Sequence, residues 1–223
     1  MSTSNKVVVS VPRDEDIPTC FQVVSLSFGH DAPFVDIYFP AHWTSAGQAQ
    51  ASKRLLAWKR SGKSTFLKAT IPVGDEEEKI IGLAIWTHMK TPPSAKLEDG
   101  ENVEEVWPDA DDREYMTRLW RGFVQPRRQA VLDSHGGAYV LELLAVHPDY
   151  QRRGAGSALV TWGTKAADQL GIRAVIEASP VGRLLYETCG FRPEIEEMRL
   201  DVGEEFAARP KPKLVYMTRE PAS

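Results

Sequence analysis

Apolar residues recur along this chain in two periods, and the switching between them divides it into short strands and amphipathic helices. Lys6 to Val11 is a mostly apolar run stopped by Pro12 and reads as a strand. Ile17, Phe21, Val24 and Phe28 then recur at helical spacing behind Asp14, Glu15 and Asp16, where acidic side chains favour a helix start. Gly29 to Thr44 is irregular. It carries Pro33, Tyr38, Phe39, Pro40 and Trp43 and reads as a loop whose aromatics either touch substrate or fasten the loop to the core. Ser45 to Arg60 reads as a second helix. Thr65 to Ile71 and Lys79 to Thr87 follow as a hairpin-like pair of strands around an acidic turn, Val73 to Glu78.

The segment from about 90 to 137 is too long for an ordinary connection. Glu98 to Glu114 holds nine acidic residues against one arginine, Arg113, after which Tyr115, Met116, Leu119, Trp120 and Phe123 predict an amphipathic helix ending before Pro126. Two readings stay open: an acidic lid that attracts a cationic amine, or a solvated loop leading into a packing helix. At the other end, Glu194 to Val202 and Leu214 to Thr218 predict two closing strands joined through Pro210 and Pro212.

Between them lies the most informative stretch, Ala138 to Phe191. Tyr139 to Val146 is an apolar run interrupted only by Glu142 and stopped by His147-Pro148. The polar loop Gln151-Arg152-Arg153-Gly154-Ala155-Gly156 then opens into a segment with Ala155, Leu159, Trp162, Ala166 and Leu170 at helical spacing, ended by Gly171 before the strand Ala174 to Ala178. A helix start has N–H groups without intrahelical partners and partial positive charge. Glycines there let a phosphate approach closely, and Arg152 and Arg153 add fixed charge.

Three phosphate-binding patterns compete for this loop. A nucleoside-triphosphate loop fails because no Gly-Lys-Ser or Gly-Lys-Thr follows. The dinucleotide fingerprint has Gly154, Gly156 and a carboxylate at Glu177, but Leu159 takes the third glycine position. The pattern Gln-x-x-Gly-x-Gly, after a strand ending in Val-x-Pro and before a helix, resembles the pyrophosphate loop of the GNAT superfamily of N-acetyltransferases. Ser179 to Phe191 is similar to that family's next helix and its terminal Gly-Phe, with Ser179 as cap and Pro180 in the first turn. The clear match spans 138 to 193, about a quarter of the chain.

The resemblance implies an α/β (α+β) fold: a single GNAT-like domain over residues 1–223, its central mixed, largely antiparallel twisted sheet flanked by helices. The acetyl-CoA-binding core would occupy 138–193 and an acidic insertion about 90–137. It further implies acetyl transfer from acetyl-CoA, as cosubstrate, to an amine by direct attack. Backbone N–H groups at Leu144, Ala145 and Val146 would polarise the thioester carbonyl, and Gln151, Arg152, Arg153, Gly154, Ala155, Gly156 and Ser157 would hold the pyrophosphate. Tyr186 takes the place of the tyrosine that protonates the departing thiolate. Ser179 stands where many members carry an asparagine. Glu142, a charge in an apolar strand, is the candidate base, with a paired or solvent-facing carboxylate as the equal alternative and Glu177 in reserve. The acceptor expected is a small-molecule amine, with a peptide or protein acceptor, or a non-catalytic acyl-CoA-binding regulatory module, as alternatives.

Composition narrows the rest. The 223 residues are 42% hydrophobic and carry a net charge of −4, which gives no general reason to expect nucleic acid or an acidic membrane as partner. Two cysteines, Cys20 and Cys189, are too few for a disulfide framework, and neither they nor the five histidines fall at metal-ligand spacing, so no metal is expected. Cys189 lacks an adjacent activating histidine, and His147 beside proline reads as a loop residue. No apolar stretch is long enough to span a bilayer and no signal-peptide core opens the chain, so a cytoplasmic location is expected.

Overall fold

The two periods translate into seven strands and seven helices among the residues described by the computed structural model, which are 6–30, 32–73 and 77–222. The strands are β1 (Val8–Ser10), β2 (Thr65–Val73), β3 (Glu77–Met89), β4 (Ala138–Val146), β5 (Ala174–Ala178), β6 (Arg192–Ile195) and β7 (Val215–Arg219). The helices are α1 (Ile17–Phe28), α2 (Pro33–Tyr38), α3 (Ser45–Arg60), α4 (Val103–Val106), α5 (Ala110–Leu132), α6 (Ala155–Leu170) and α7 (Arg183–Thr188). The mixed sheet has the order β1-β2-β3-β4-β5-β7-β6 and is flanked by helices. Its parallel step joins Tyr139 to Ala174 and Val140 to Val175, while the described β1–β2, β2–β3, β5–β7 and β6–β7 ladders are antiparallel. Part of the expected acidic turn, at 74–76, lies outside the described residues.

The chain forms two compact units. The first comprises Met1–Gly29, Ala41–Thr87 and Leu141–Ala166. Here α1 packs on α3, whose ends match the predicted Ser45 and Arg60, with Thr44 accepting from the Gly47 N–H at 3.0 Å as the N-cap. Along α6 the buried side is Ala155, Leu159, Val160, Gly163 and Thr164, whereas Trp162 and Leu170, expected on the buried face, are exposed. The stripe is displaced because Gly163 lies flat against the Trp86 ring, where an added Cβ would stand 2.0 Å from Cε2. Trp86 is fully buried and its indole N–H donates to the Leu159 carbonyl at 3.3 Å.

The second unit comprises His30–Pro40, His88–Val140 and Ala167–Ser223. Its core gathers Tyr115, Leu119, Phe123, Val124 and Val131 of α5 with Val140, Val175, Tyr216 and Phe206. Three expectations are corrected here. Gly29 to Thr44 is not loop throughout, because α2 forms inside it and its aromatics fasten it: Phe34 stacks on Phe123 at 4.2 Å between centroids, and Tyr38 on Trp120 at 6.2 Å. The helix of the insertion does not stop at Pro126. A mid-helix proline costs about 3 kcal/mol, but Val124 and Val131 are buried on either side of it, and apolar burial at about 1.5–3 kcal/mol per large side chain offsets that cost. The strand expected over Glu194 to Val202 ends at Ile195 instead. Its register slips between Pro193 and Ile195; Met198 still donates to the Leu214 carbonyl at 2.8 Å, but Pro212 has no N–H with which to extend that pairing.

Candidate functional site

The strongest candidate is built where β4 ends. The His147 N–H donates to the Ile81 carbonyl at 2.8 Å, which ties the strand end to β3. Pro148–Tyr150 then makes one 3-10 turn, and Gln151 folds back so that Nε2 donates to the Val146 carbonyl at 3.2 Å. Arg152 has φ 57° and Gly154 φ 89°, both in the left-handed region. No heavy atom lies within 4 Å of where a Gly154 Cβ would stand, so backbone conformation, not space, demands glycine there. The Ala158 N–H bonds the Gly154 carbonyl at 2.9 Å and begins α6, leaving the N–H groups of Ala155, Gly156 and Ser157 as the first turn without intrahelical acceptors.

Basic side chains gather at this turn. Arg152 and Arg153 are exposed, and the Arg153 guanidinium lies over the Tyr150 ring at 5.1 Å. Lys79 of β3 reaches the same ring, with Nζ 4.8 Å from its centroid and donating to the Tyr150 hydroxyl at 3.1 Å. Among the described residues no carboxylate forms an ion pair with Lys79, Arg152 or Arg153. A turn of free N–H groups surrounded by unneutralised cations can hold a diphosphate.

The other candidate residues divide between the units. Glu142, Leu144 and Val146 alternate along one half-buried side of β4, in the same unit as the loop, while Leu141 and Ala145 are buried. Ser179, Glu177 and Tyr186 belong to the second unit. Ser179 is not the cap of α7, which begins at Arg183 after Gly182; its Oγ and carbonyl instead accept from the Gly182 N–H at 3.3 and 3.0 Å, closing the turn that contains Pro180. Tyr186 is buried, its ring edge 2.8 Å from where a Gly182 Cβ would stand and T-shaped to Phe191 at 6.1 Å. Burial pushes its phenol well above the ordinary value, with the Cys189 thiol adding to the rise, so the hydroxyl stays protonated at neutral pH.

The reserve base is occupied. Both Arg127 Nε (2.9 Å) and Nη2 donate to the Glu177 carboxylate, and the two side chains are 2% and 1% exposed. Arg127 also lies over Phe123 at 4.7 Å. Glu177 faces Tyr216 across the β5–β7 ladder, and the buried Tyr216 hydroxyl has no hydrogen-bond partner among the described residues. His147 has its Nδ1 engaged too, accepting from the Asp149 N–H at 3.3 Å.

The comparisons agree with the loop. The family model described as the acetyltransferase (GNAT) domain matches residues 112–193. That match takes in most of α5, β4, the loop, α6, β5 and α7. Solved structures share its fold over nearly the whole length. A mosquito arylalkylamine N-acetyltransferase like 5b has TM-score 0.66 at 16% identity, over 96% of this chain and 100% of that one. A structure described as histone acetyltransferase HPA2 and related acetyltransferase from Corynebacterium glutamicum has TM-score 0.62 at 18% identity, over 97% of each. The PaiA N-acetyltransferase from Thermoplasma acidophilum, solved in complex with coenzyme A, has TM-score 0.51 at 14% identity, over 96% and 99%.

Two residues at or near the candidate site carry no signal of it in the sequence. Lys79 was visible only as a strand residue, although strand alternation separates it from Glu78, whose carboxylate is taken by Lys68 and Thr70. Arg127 sat beyond a proline and so outside the predicted helix. Among the described residues no helix is long and apolar enough to cross a membrane, and no group of His, Cys, Asp and Glu could hold a metal ion.

Proposed function

We propose that the protein transfers the acetyl group of acetyl-CoA to the nitrogen of a small-molecule amine. The observation that carries the reading is the turn at Gln151 to Ser157, with its left-handed Arg152 and Gly154, its first-turn N–H groups and its exposed arginines. These groups hold the diphosphate of acetyl-CoA, and Ser179 borders the cofactor. Backbone N–H groups at Leu144, Ala145 and Val146 polarise the thioester carbonyl. The neutral amine attacks that carbon, its proton passes to Glu142 directly or through water, and the carbon–sulfur bond breaks to release CoA thiolate. Tyr186 meets the thiolate as donor. Its raised pKa makes it a weaker acid than a free phenol, so hydrogen bonding precedes proton transfer, and its own ionisation removes no activity below about pH 10.

CoA-thiol release from acetyl-CoA across a panel of amines and peptides tests this, with Glu142→Gln and Tyr186→Phe beside wild type. The expected result is release with at least one small amine and a kcat lowered by about a hundredfold or more in either variant. Full activity in both variants would remove the assigned roles. Saturable binding with no release for any acceptor would favour the regulatory module.

A further inference from the structure

We infer that Lys79, gathered with Arg153 around the Tyr150 ring, is a subsite for the 3′-phosphate of the CoA adenosine and makes the protein discriminate CoA thioesters from their dephospho forms. The inference rests on the acyl-CoA reading of the loop and adds to it a residue from outside the loop. Its premise is chemical: a CoA thioester carries a diphosphate and, separately, a phosphate monoester on the ribose. The first turn of α6 with Arg152 and Arg153 meets the diphosphate. The monoester needs a further cation, with Arg153 shared between the two.

The geometry supplies it. The bond from the His147 N–H to the Ile81 carbonyl fixes the loop against β3 two residues from Lys79. Lys79 then donates to the Tyr150 hydroxyl at 3.1 Å while the Arg153 guanidinium lies 5.1 Å from the ring centroid, so one aromatic side chain is in contact with both cations. Strand alternation turns Lys79 away from Glu78, which is engaged by Lys68 at 2.5 Å and by Thr70 at 3.0 Å. Among the described residues neither cation has a carboxylate partner. Two cations on one ring without a carboxylate partner favour a dianion over a singly charged group, and an ammonium and a guanidinium are both donors suited to a phosphate monoester.

Calorimetric titration of the full chain at low ionic strength with acetyl-CoA and with acetyl-dephospho-CoA tests the assignment. Wild type should bind acetyl-CoA about tenfold or more tightly than the dephospho form. Lys79→Gln should lose most of that ratio by weakening acetyl-CoA alone, and Lys79→Arg should restore it. Tyr150→Leu, which removes the ring that gathers the two cations, should narrow it as well. A Lys79→Gln variant that weakens both ligands equally, or neither, overturns the assignment. Equal affinity of wild type for both thioesters overturns it while leaving the acyl-CoA reading standing, whereas no binding of either by wild type takes down both.

Discussion

Arg127 and the adjacent Arg152 and Arg153 bring the same side chain into opposite surroundings. Arg127 is 2% exposed, holds Glu177 through two nitrogens and lies against Phe123, so its charge is consumed inside the fold. Arg152 and Arg153 stand in solvent at a helix start, Arg153 over a tyrosine, and neither forms an ion pair among the described residues. The difference separates two uses of charge. A buried pair does little for net stability compared with apolar residues of the same shape, yet each partner depends on the other, because either one alone would be an uncompensated buried charge. An exposed, unpaired cluster contributes almost nothing to the fold and is free to meet a ligand.

The sharpest way to break this contrast is Arg127→Met. Leaving Glu177 buried without its partner should cost about 3–5 kcal/mol, and adding Glu177→Leu should return most of it. Calorimetric unfolding of the two variants checks this; a single variant as stable as wild type would place Glu177 in contact with water. The double variant Arg152→Gln with Arg153→Gln should do the reverse. Unfolding should stay within about 0.5 kcal/mol of wild type for each substitution while affinity for acetyl-CoA falls by more than about tenfold and becomes less dependent on salt. An intermediate case is Arg219, whose Nη1 and Nη2 hold Asp168 at 2.6 and 3.0 Å. That contact, joined by the Ala222 N–H, holds the Asp168 carboxyl below the ordinary range. A depressed folded pKa contributes stability that is present above about pH 4 and is lost as pH falls through the folded value. Arg219→Met should therefore flatten the acid limb of a stability–pH curve, whereas the Arg152/Arg153 variant should leave that limb unchanged.

Legibility in the sequence followed the range of the forces involved. The ends of α3, the β2–β3 pair and the loop between β4 and α6 depend on local chemistry, namely an N-cap at Thr44, strand alternation and glycines at a left-handed turn. Those were readable. Elements decided by distant partners were not. Helix α5 passes Pro126 because residues beyond it are buried, α2 forms where Phe34 and Tyr38 find Phe123 and Trp120, and β6 ends early through a register slip and a proline on the segment opposite. The candidate site divides along the same line. Gln151 to Ser157 announce themselves by spacing, but Lys79 is seen to reach the loop only when β3 and the loop are tied through Ile81, and the pairing of Glu177 with Arg127 is visible only in the fold.

The contact between Gly163 and Trp86 constrains how this chain can change over generations. The largest side chain meets a position with none, and even a methyl group at 163 would overlap the indole, with Cβ 2.0 Å from Cε2. Enlarging 163 first overpacks the interior at about 1–3 kcal/mol, and shrinking 86 first opens a void costing about 3–5 kcal/mol. Each single step descends into a fitness valley that only the paired exchange crosses. In a lineage of such sequences the two positions should therefore be inherited as a couple, tryptophan with glycine or a smaller residue with alanine, seventy-odd residues apart and yet behaving as one site.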